Sequence, residues 1–319
     1  MRVITAADIT EAITHRSMIE ALREAFRSKY VTPLRHHHTI ARTDRPSSDI
    51  LLMPCWTDFE AQGHSDRGFQ GVKLVTVTPD NAERSKPSVM GVYVLFSGVS
   101  GEPLAMIDGQ ALTLWRTADA SALASSYLSR SDSTRLLMVG AGALAPFLIG
   151  AHAAVRPIRE VLIWNRSMES AERVAKALSG SEMEVHATDD LQGAVEGADI
   201  ISCATLTQNP LIKGDWLQSG THLDLVGAYR PTMREADDAC IRRARVFVDT
   251  RPGALNEAGD IVQAIESGAM TEDDISGDLF ELTRGEQPGR IQYNQITLFK
   301  STGSAIEDLA GAVHILMRT

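Results

Sequence analysis

The sequence predicts an α/β protein of two domains, one a doubly wound parallel sheet and the other α+β, and three observations carry that reading. At 319 residues the chain exceeds one minimal core and is long enough for two. Between residues 50 and 107 short β-rich runs alternate with turn residues, whereas from residue 135 onward strands and helices take turns, the pattern of a parallel sheet with helical crossovers. Finally "VGAGALA", residues 139–145, places a glycine turn directly between an apolar strand and a helix.

Taken in order, "SMIEALREAFRSKY", 17–30, carries Met18, Ile19, Leu22, Ala25 and Phe26 at helical spacing behind Ser17, a residue suited to capping the first turn. "RHHH", 35–38, reads as a strand. Successive side chains there point to opposite faces, so the three histidines cannot converge on one ion and no metal site is expected. A second reading of the same stretch places Arg35 or a neighbour at a substrate site. "ILLMPCW", "QGVKLVTVTP", "SVMGVYVLFS" and "PLAMID" follow as strands, with "SGVSGE" as a hairpin turn. Residues 111–128, rich in Ala and Leu and without breakers, form one helix. The α/β alternation then runs through "RLLMVG", "AGALAPFLIGAHAAV", "EVLIWN", "SAERVAKAL", "EVHAT", "LQGAVEGA", "DIISCAT" and "VFVDT". A strand and a final helix, "ITLFKSTGSAIEDLAGAVHILM", lie beyond the last α/β unit. Glu307 and Asp308 in that helix have two readings, an approach to the nicotinamide side or a simple charging of the first turn, where the helix dipole favours acids, and the second is preferred.

Composition narrows the function classes. With 44% hydrophobic and 23% charged residues the chain is neither disordered nor fibrous. A net charge of −10 with scattered basic residues disfavours nucleic acid and acidic membranes as partners. Cys55, Cys203 and Cys240 are widely spaced and odd in number, so they read as reduced packing residues. No apolar run approaches the roughly 20 residues of a membrane span, and "MRVITAADITEAI" lacks the apolar core and cleavage site of a secretory signal. A cytoplasmic location is expected.

The glycine turn has the GxGxxA form of a dinucleotide fingerprint, with Gly140, Gly142 and Ala145 in the small positions. It follows an apolar strand and opens a helix, which is the context the motif needs in a βαβ unit of about 30 residues. Small residues admit the pyrophosphate to the backbone, and the helix N-terminus favours its charge. About 20 residues on, where an acid would meet the ribose hydroxyls of NADH, the chain has Asn165, Arg166 and Ser167 instead. A cation with neutral hydrogen-bonding groups suits a 2′-phosphate, so NADPH is expected over NADH, which binds more weakly. "ATL", 204–206, and "VGAY", 226–229, end strands at the carboxyl edge of the same sheet, where such sheets bind ligands.

These stretches, with "LLMPCW", "GVKLVT", "LAMIDGQALTLWRTADASALA", "IWNRS", "VGAYRPTMREAD", "VFVDT" and "FKSTGSAIEDLAGA" in this order, resemble the ornithine cyclodeaminase/μ-crystallin family over essentially the whole chain. The resemblance implies a substrate-binding and dimerisation domain, 1–115 plus 300–319, around a Rossmann domain, 116–299, and a homodimer. It also implies that Lys73 meets a substrate carboxylate, with Arg116 between substrate and cofactor and Arg35 as a third cation. An arginine clamps a carboxylate in bidentate fashion and a lysine meets it as a point charge. On the cofactor side the resemblance adds Ser88, Arg116, Thr117, Ala143, Thr205, Leu206, Val226 and Ser301 to the fingerprint residues.

Two departures matter. Tyr229 stands where cyclodeaminases of the family carry an aspartate that acts on the substrate amine, and Leu51 stands where they carry a glutamate placed to handle water. Without those carboxylates, amine deprotonation and hydrolysis lose their agents. The chain therefore looks like the imine-reducing branch, the ketimine and Δ1-pyrroline-2-carboxylate reductases. Δ1-pyrroline-2-carboxylate or Δ1-piperideine-2-carboxylate would yield L-proline or L-pipecolate, with Tyr229 or a water completing the proton inventory. The competing readings are an ornithine or lysine cyclodeaminase, an alanine-type dehydrogenase, and a non-catalytic μ-crystallin-like binder of NADPH or a small ligand.

Overall fold

The computed structural model describes every residue of 1–319 other than His64, Ser85 and Ser181. The chain divides into two compact units, Met1–Arg116 with Ser304–Thr319, and Thr117–Gly303.

The first unit runs through β1 (Arg2–Ile4), α1 (Ala6–Ala12), α2 (His15–Arg27), β2 (Tyr30–Val31), β3 (His36–Ile40), β4 (Ser48–Thr57), α3 (Phe59–Gln62), β5 (Phe69–Val77), β6 (Val89–Ser97), β7 (Pro103–Asp108) and the start of α4 (Gly109–Leu128). Its sheet has the order β1-β7-β6-β5-β4-β2, with β3 also paired to β4. β1 joins β7 in parallel and the other pairs are antiparallel. Alternation along β5 is strict: Gly71, Lys73, Val75 and Val77 are buried, while Val72 and Leu74 on the other face are half-exposed. The apolar stripe of α2 is buried through Met18, Ile19, Leu22, Ala25 and Phe26, as the spacing predicts. Its cap is Thr14 rather than Ser17. Ser17 sits at the third helical position and returns the bond to the Thr14 backbone, so the two form a reciprocal capping box.

The second unit takes the rest of α4 and continues through β8 (Arg135–Val139), α5 (Ala145–Val155), β9 (Glu160–Trp164), α6 (Met168–Ala177), β10 (Glu184–Thr188), α7 (Leu191–Gly197), β11 (Ile200–Cys203), β12 (His222–Leu225), α8 (Asp238–Arg243), β13 (Arg245–Val248), α9 (Arg251–Glu257), α10 (Gly259–Glu266), β14 (Ile275–Asp278), α11 (Leu279–Arg284) and β15 (Thr297–Lys300). The eight strands are all parallel in the order β10-β9-β8-β11-β12-β15-β13-β14. Chain direction across the sheet reverses between β8 and β11, the switch point at which doubly wound sheets open a crevice.

β15 is the surprise. It reads in sequence as an appendage beyond the last α/β unit, yet it slots between β12 and β13. All four of its residues are fully buried, which an interior strand with neighbours on both edges satisfies and an edge strand does not. From there the chain returns to the first unit as α12 (Ala305–Leu316), which packs on α2 and on β4, β5 and β6.

Candidate active site

In the first unit, Lys73 lies at the centre of β5, paired across the sheet with Met53 and Tyr93. Its side chain is 2% exposed and its Nζ donates to Asp308 Oδ1 at 2.8 Å and to Thr113 Oγ1 at 3.4 Å. Arg116, also buried, donates from Nη1 to Glu307 Oε2 at 2.7 Å, and its Nε lies 2.9 Å from Asp308 Oδ1. A single carboxylate oxygen thus joins the two cations predicted to meet a substrate carboxylate. Burial, and after it the charge of Arg116, pulls the Lys73 ammonium down to about 8, against the pull of Asp308. Arg35, half-buried, is near enough for its charge to act on Lys73 in the same sense.

Glu307 and Asp308 do far more than charge a helix end. Both are fully buried, Glu307 against Arg116 and Asp308 against Lys73 and Arg116 together. Sequence reasoning prefers the plainer of their two readings because a first-turn acid has an ordinary explanation. The available signal was their setting, "SAIEDLAGAV", in which the acids interrupt an otherwise apolar face with no basic residue four positions away.

Leu51 occupies β4 on the same face as Met53, opposite Val75, so no carboxylate stands beside Lys73 from that strand. Asp108, next to the helix that carries Arg116, is a cap: its Oδ1 accepts from the backbone amides of Gln110 and Ala111. The histidines of β3 are exposed, and among the described residues no cluster of histidine, cysteine or acid is arranged to hold a metal ion. Ser88 is half-buried just before β6, where its carbonyl accepts from Thr78.

In the second unit the fingerprint fits a dinucleotide phosphate. Gly140 has φ +111°, and a Cβ there would come within 2.7 Å of the Ala204 carbonyl oxygen. Gly142 opens onto clear space, and α5 starts at Ala145 with no side chain capping it, so the turn presents backbone at a helix N-terminus with room for a ligand. Asn165, at the end of β9, fixes the turn by accepting from Ala141 N and donating to the Ser167 carbonyl. Arg166 and Ala143 are exposed, and the exposed Ser167 caps α6.

Thr205, Leu206, Val226 and Tyr229 follow β11 and β12. Their loops are tied together by Glu235, a residue with no place among the predicted site residues. Its Oε1 accepts from Thr205 N at 2.7 Å and Thr205 Oγ1 at 2.8 Å, while Oε2 accepts from Gly227 N at 2.7 Å. Burial pushes the Glu235 carboxyl up to about 7, against the opposing Lys300 charge. Lys300 itself pairs with Asp260 at 3.2 Å, and Asp260 in turn accepts from Glu235 N. Ser301 sits beside β12, its amide on the Leu225 carbonyl and its hydroxyl on Asp249. Thr117, next to Arg116 on α4, is buried. Tyr229 is half-buried, with the Arg230 guanidinium 5.7 Å from its ring centre.

A model of the ornithine cyclodeaminase/mu-crystallin family matches residues 1–318. The protein SAR DEFICIENT 4 of Arabidopsis thaliana is 42% identical over 317 residues, covering 97% of this chain and 94% of its own. Δ1-pyrroline-2-carboxylate reductase of Paracoccus denitrificans is 37% identical over 314 residues, covering 98% and 95%. Among solved structures, Δ1-pyrroline-2-carboxylate reductase of Thermococcus litoralis, in complex with NADH and L-proline, superposes with a TM-score of 0.91 at 32% identity, over 100% of this chain and 97% of that one.

Proposed function

The chain belongs to the ornithine cyclodeaminase/mu-crystallin family, and from that premise we propose that it reduces a cyclic 2-imino acid, Δ1-pyrroline-2-carboxylate or its six-membered homologue, to L-proline or L-pipecolate. The observation that carries this reading is the buried Lys73–Asp308–Arg116 cluster, with leucine and tyrosine at the two positions where a deaminating site needs acids. Lys73 and Arg116, with Arg35, hold the carboxylate and so fix the position of the imine carbon bonded to it. A reduced nicotinamide, when bound, supplies the hydride. Gly140, Gly142, Ala143 and Ala145 form its phosphate turn. Thr117, Asn165, Arg166, Ser167, Thr205, Leu206, Val226 and Ser301 would make further contacts with it, as would Ser88 and Arg116. Tyr229 or a water supplies the proton the ring nitrogen needs after reduction. The half-exposed apolar face of the first sheet, including Val72, Leu74 and Val94, supports a homodimer, for which sedimentation must return twice the chain mass.

The assay is reduced-dinucleotide consumption with each cyclic imine, alongside L-ornithine and pyruvate plus ammonia. Turnover of an imine with formation of L-proline or L-pipecolate supports the reading. Ammonia release from ornithine without net cofactor consumption assigns the chain to the cyclodeaminases, and turnover confined to pyruvate makes it an alanine-type dehydrogenase. Tight NADPH binding without any turnover makes it a ligand-binding protein.

We place NADPH ahead of NADH on the strength of Arg166. A hydrogen bond to a charged group contributes roughly 1.5–3 kcal/mol, about a tenfold to hundredfold preference. Arg166→Ala is expected to abolish that preference in kcat/KM while leaving the NADH value nearly unchanged. Equal use of both dinucleotides by the unaltered protein contradicts it.

Carboxylate binding is expected to weaken as pH rises through about 8, where the Lys73 ammonium loses its proton. The probe is tetrahydrofuran-2-carboxylate, whose ring carries no titrating nitrogen. Affinity is highest below that pH, where Lys73 is charged, and declines above it; a flat profile removes Lys73 from the carboxylate site.

A further inference from the structure

The two buried acids of α12 are not equivalent. Glu307 has both oxygens engaged, Oε2 by Arg116 and Oε1 by the Ser304 hydroxyl at 3.3 Å. Asp308 has one. Its Oδ1 is shared by Lys73 Nζ and Arg116 Nε, but Oδ2 is buried and has no hydrogen-bond partner among the described residues. A carboxylate oxygen kept out of water without a donor is costly, and an orphan of this kind beside a candidate substrate site calls for a donor supplied from outside the chain.

Charge points to what that donor is. Lys73, Arg116, Glu307 and Asp308 are all buried and balance two against two, so an anion added to them alone would leave a buried excess of negative charge. Arg35, partly exposed and screened by water, offsets part of a carboxylate's charge from the side of Lys73. A ligand that brings its own positive charge leaves the four buried groups in balance. In a cyclic 2-imino acid the ring nitrogen is attached to the same carbon as the carboxylate, so a site that holds the carboxylate on Lys73 and Arg116 brings an N–H within reach of the carboxylate those cations share.

Resting on the imine-reductase reading, the geometry points to Asp308 Oδ2 as the acceptor for the protonated ring nitrogen, so that the site selects the zwitterion over a simple carboxylate. The chemistry then balances without an acid in the hydride step. The iminium form, C=N–H bearing the positive charge, accepts a hydride at C2 and becomes a neutral secondary amine, which takes up a proton afterwards and is held by the same oxygen as an ammonium. Asp308 transfers nothing. It favours the charged imine, which is the form that accepts hydride, and this explains how a site with Leu51 and Tyr229 in place of two acids can still activate its substrate.

The test compares two ring carboxylates of one shape, L-proline and (S)-tetrahydrofuran-2-carboxylate, in which oxygen replaces the N–H, binding to the dinucleotide-loaded protein by calorimetry. The unaltered protein is expected to prefer L-proline by about tenfold to hundredfold, the worth of a hydrogen bond to a charged group. Asp308→Asn is expected to lose that preference through weaker proline binding, with the oxygen analogue bound no less tightly than before, because the variant leaves one of the buried cations in excess. Equal loss of both ligands overturns the inference, because Asp308 then acts only through Lys73 and Arg116. Equal binding of the two by the unaltered protein overturns it even where the variant does not fold. Failure of the unaltered protein to bind either ligand is a different result: it removes the imino-acid reading on which the inference stands.

Discussion

Arg116→Ala is expected to lower kcat/KM for Δ1-pyrroline-2-carboxylate by about a hundredfold to a thousandfold and to destabilise the fold at the same time. Removing one partner of a buried ion pair costs about 3–5 kcal/mol, because the charge left behind is uncompensated, and each 1.4 kcal/mol is about tenfold in binding or rate. Here the charge left behind is Glu307, since Asp308 keeps Lys73. Steady-state kinetics and thermal unfolding of one preparation read both effects. Arg116→Lys separates them. It keeps the charge that the buried acids require but loses the planar fork, so stability is expected to recover more than activity. If alanine at this position leaves imine turnover within a few-fold of the original, Arg116 does not hold the substrate.

Gly227→Ala is expected to abolish dinucleotide binding and lower the unfolding temperature sharply. A Cβ at Gly227 would lie 1.9 Å from the Thr205 carbonyl oxygen, 2.4 Å from Thr205 N and 2.6 Å from Glu235 Oε1. Backbone bounds it on one side and a fully buried carboxylate on the other, so no flexible side chain can yield. Overpacking of a dense interior costs typically about 1–3 kcal/mol, and more where backbone must move. The same displacement breaks the bonds from Thr205 N and Gly227 N to Glu235 that hold the β11 and β12 loops together. Fluorescence titration with NADPH and a melting curve check this; unaltered affinity would show that the two loops do not contribute to the cofactor site.

Much of this was legible in the chain because the relevant signals are local. The glycine turn between an apolar strand and a helix depends on neighbouring residues alone, and so do the alternation along β5 and the apolar stripe of α2. What escaped depends on contacts far apart in sequence. Ser17 and Thr14 are both good caps, and only the backbone conformation decides that Thr14 caps and Ser17 answers it. The place of β15 between β12 and β13 is a topological fact that its own four residues do not encode. Asp308 meets Lys73 across 235 positions, and Glu235 meets Thr205 across 30, so neither acid has a sequence neighbour that reveals its partner. Lys73 was visible for a reason that holds for Asp308 as well: a charged residue inside an apolar run must be balanced by something.

The most direct measurement is the fate of a labelled hydride. With NADPH deuterated at the transferring position of the nicotinamide and Δ1-pyrroline-2-carboxylate as substrate, mass spectrometry and proton NMR of the product report where the label goes. Imine reduction gives L-proline carrying one deuterium at C2, in proportion to the cofactor oxidised. Unlabelled proline, or cofactor oxidation without proline, contradicts it.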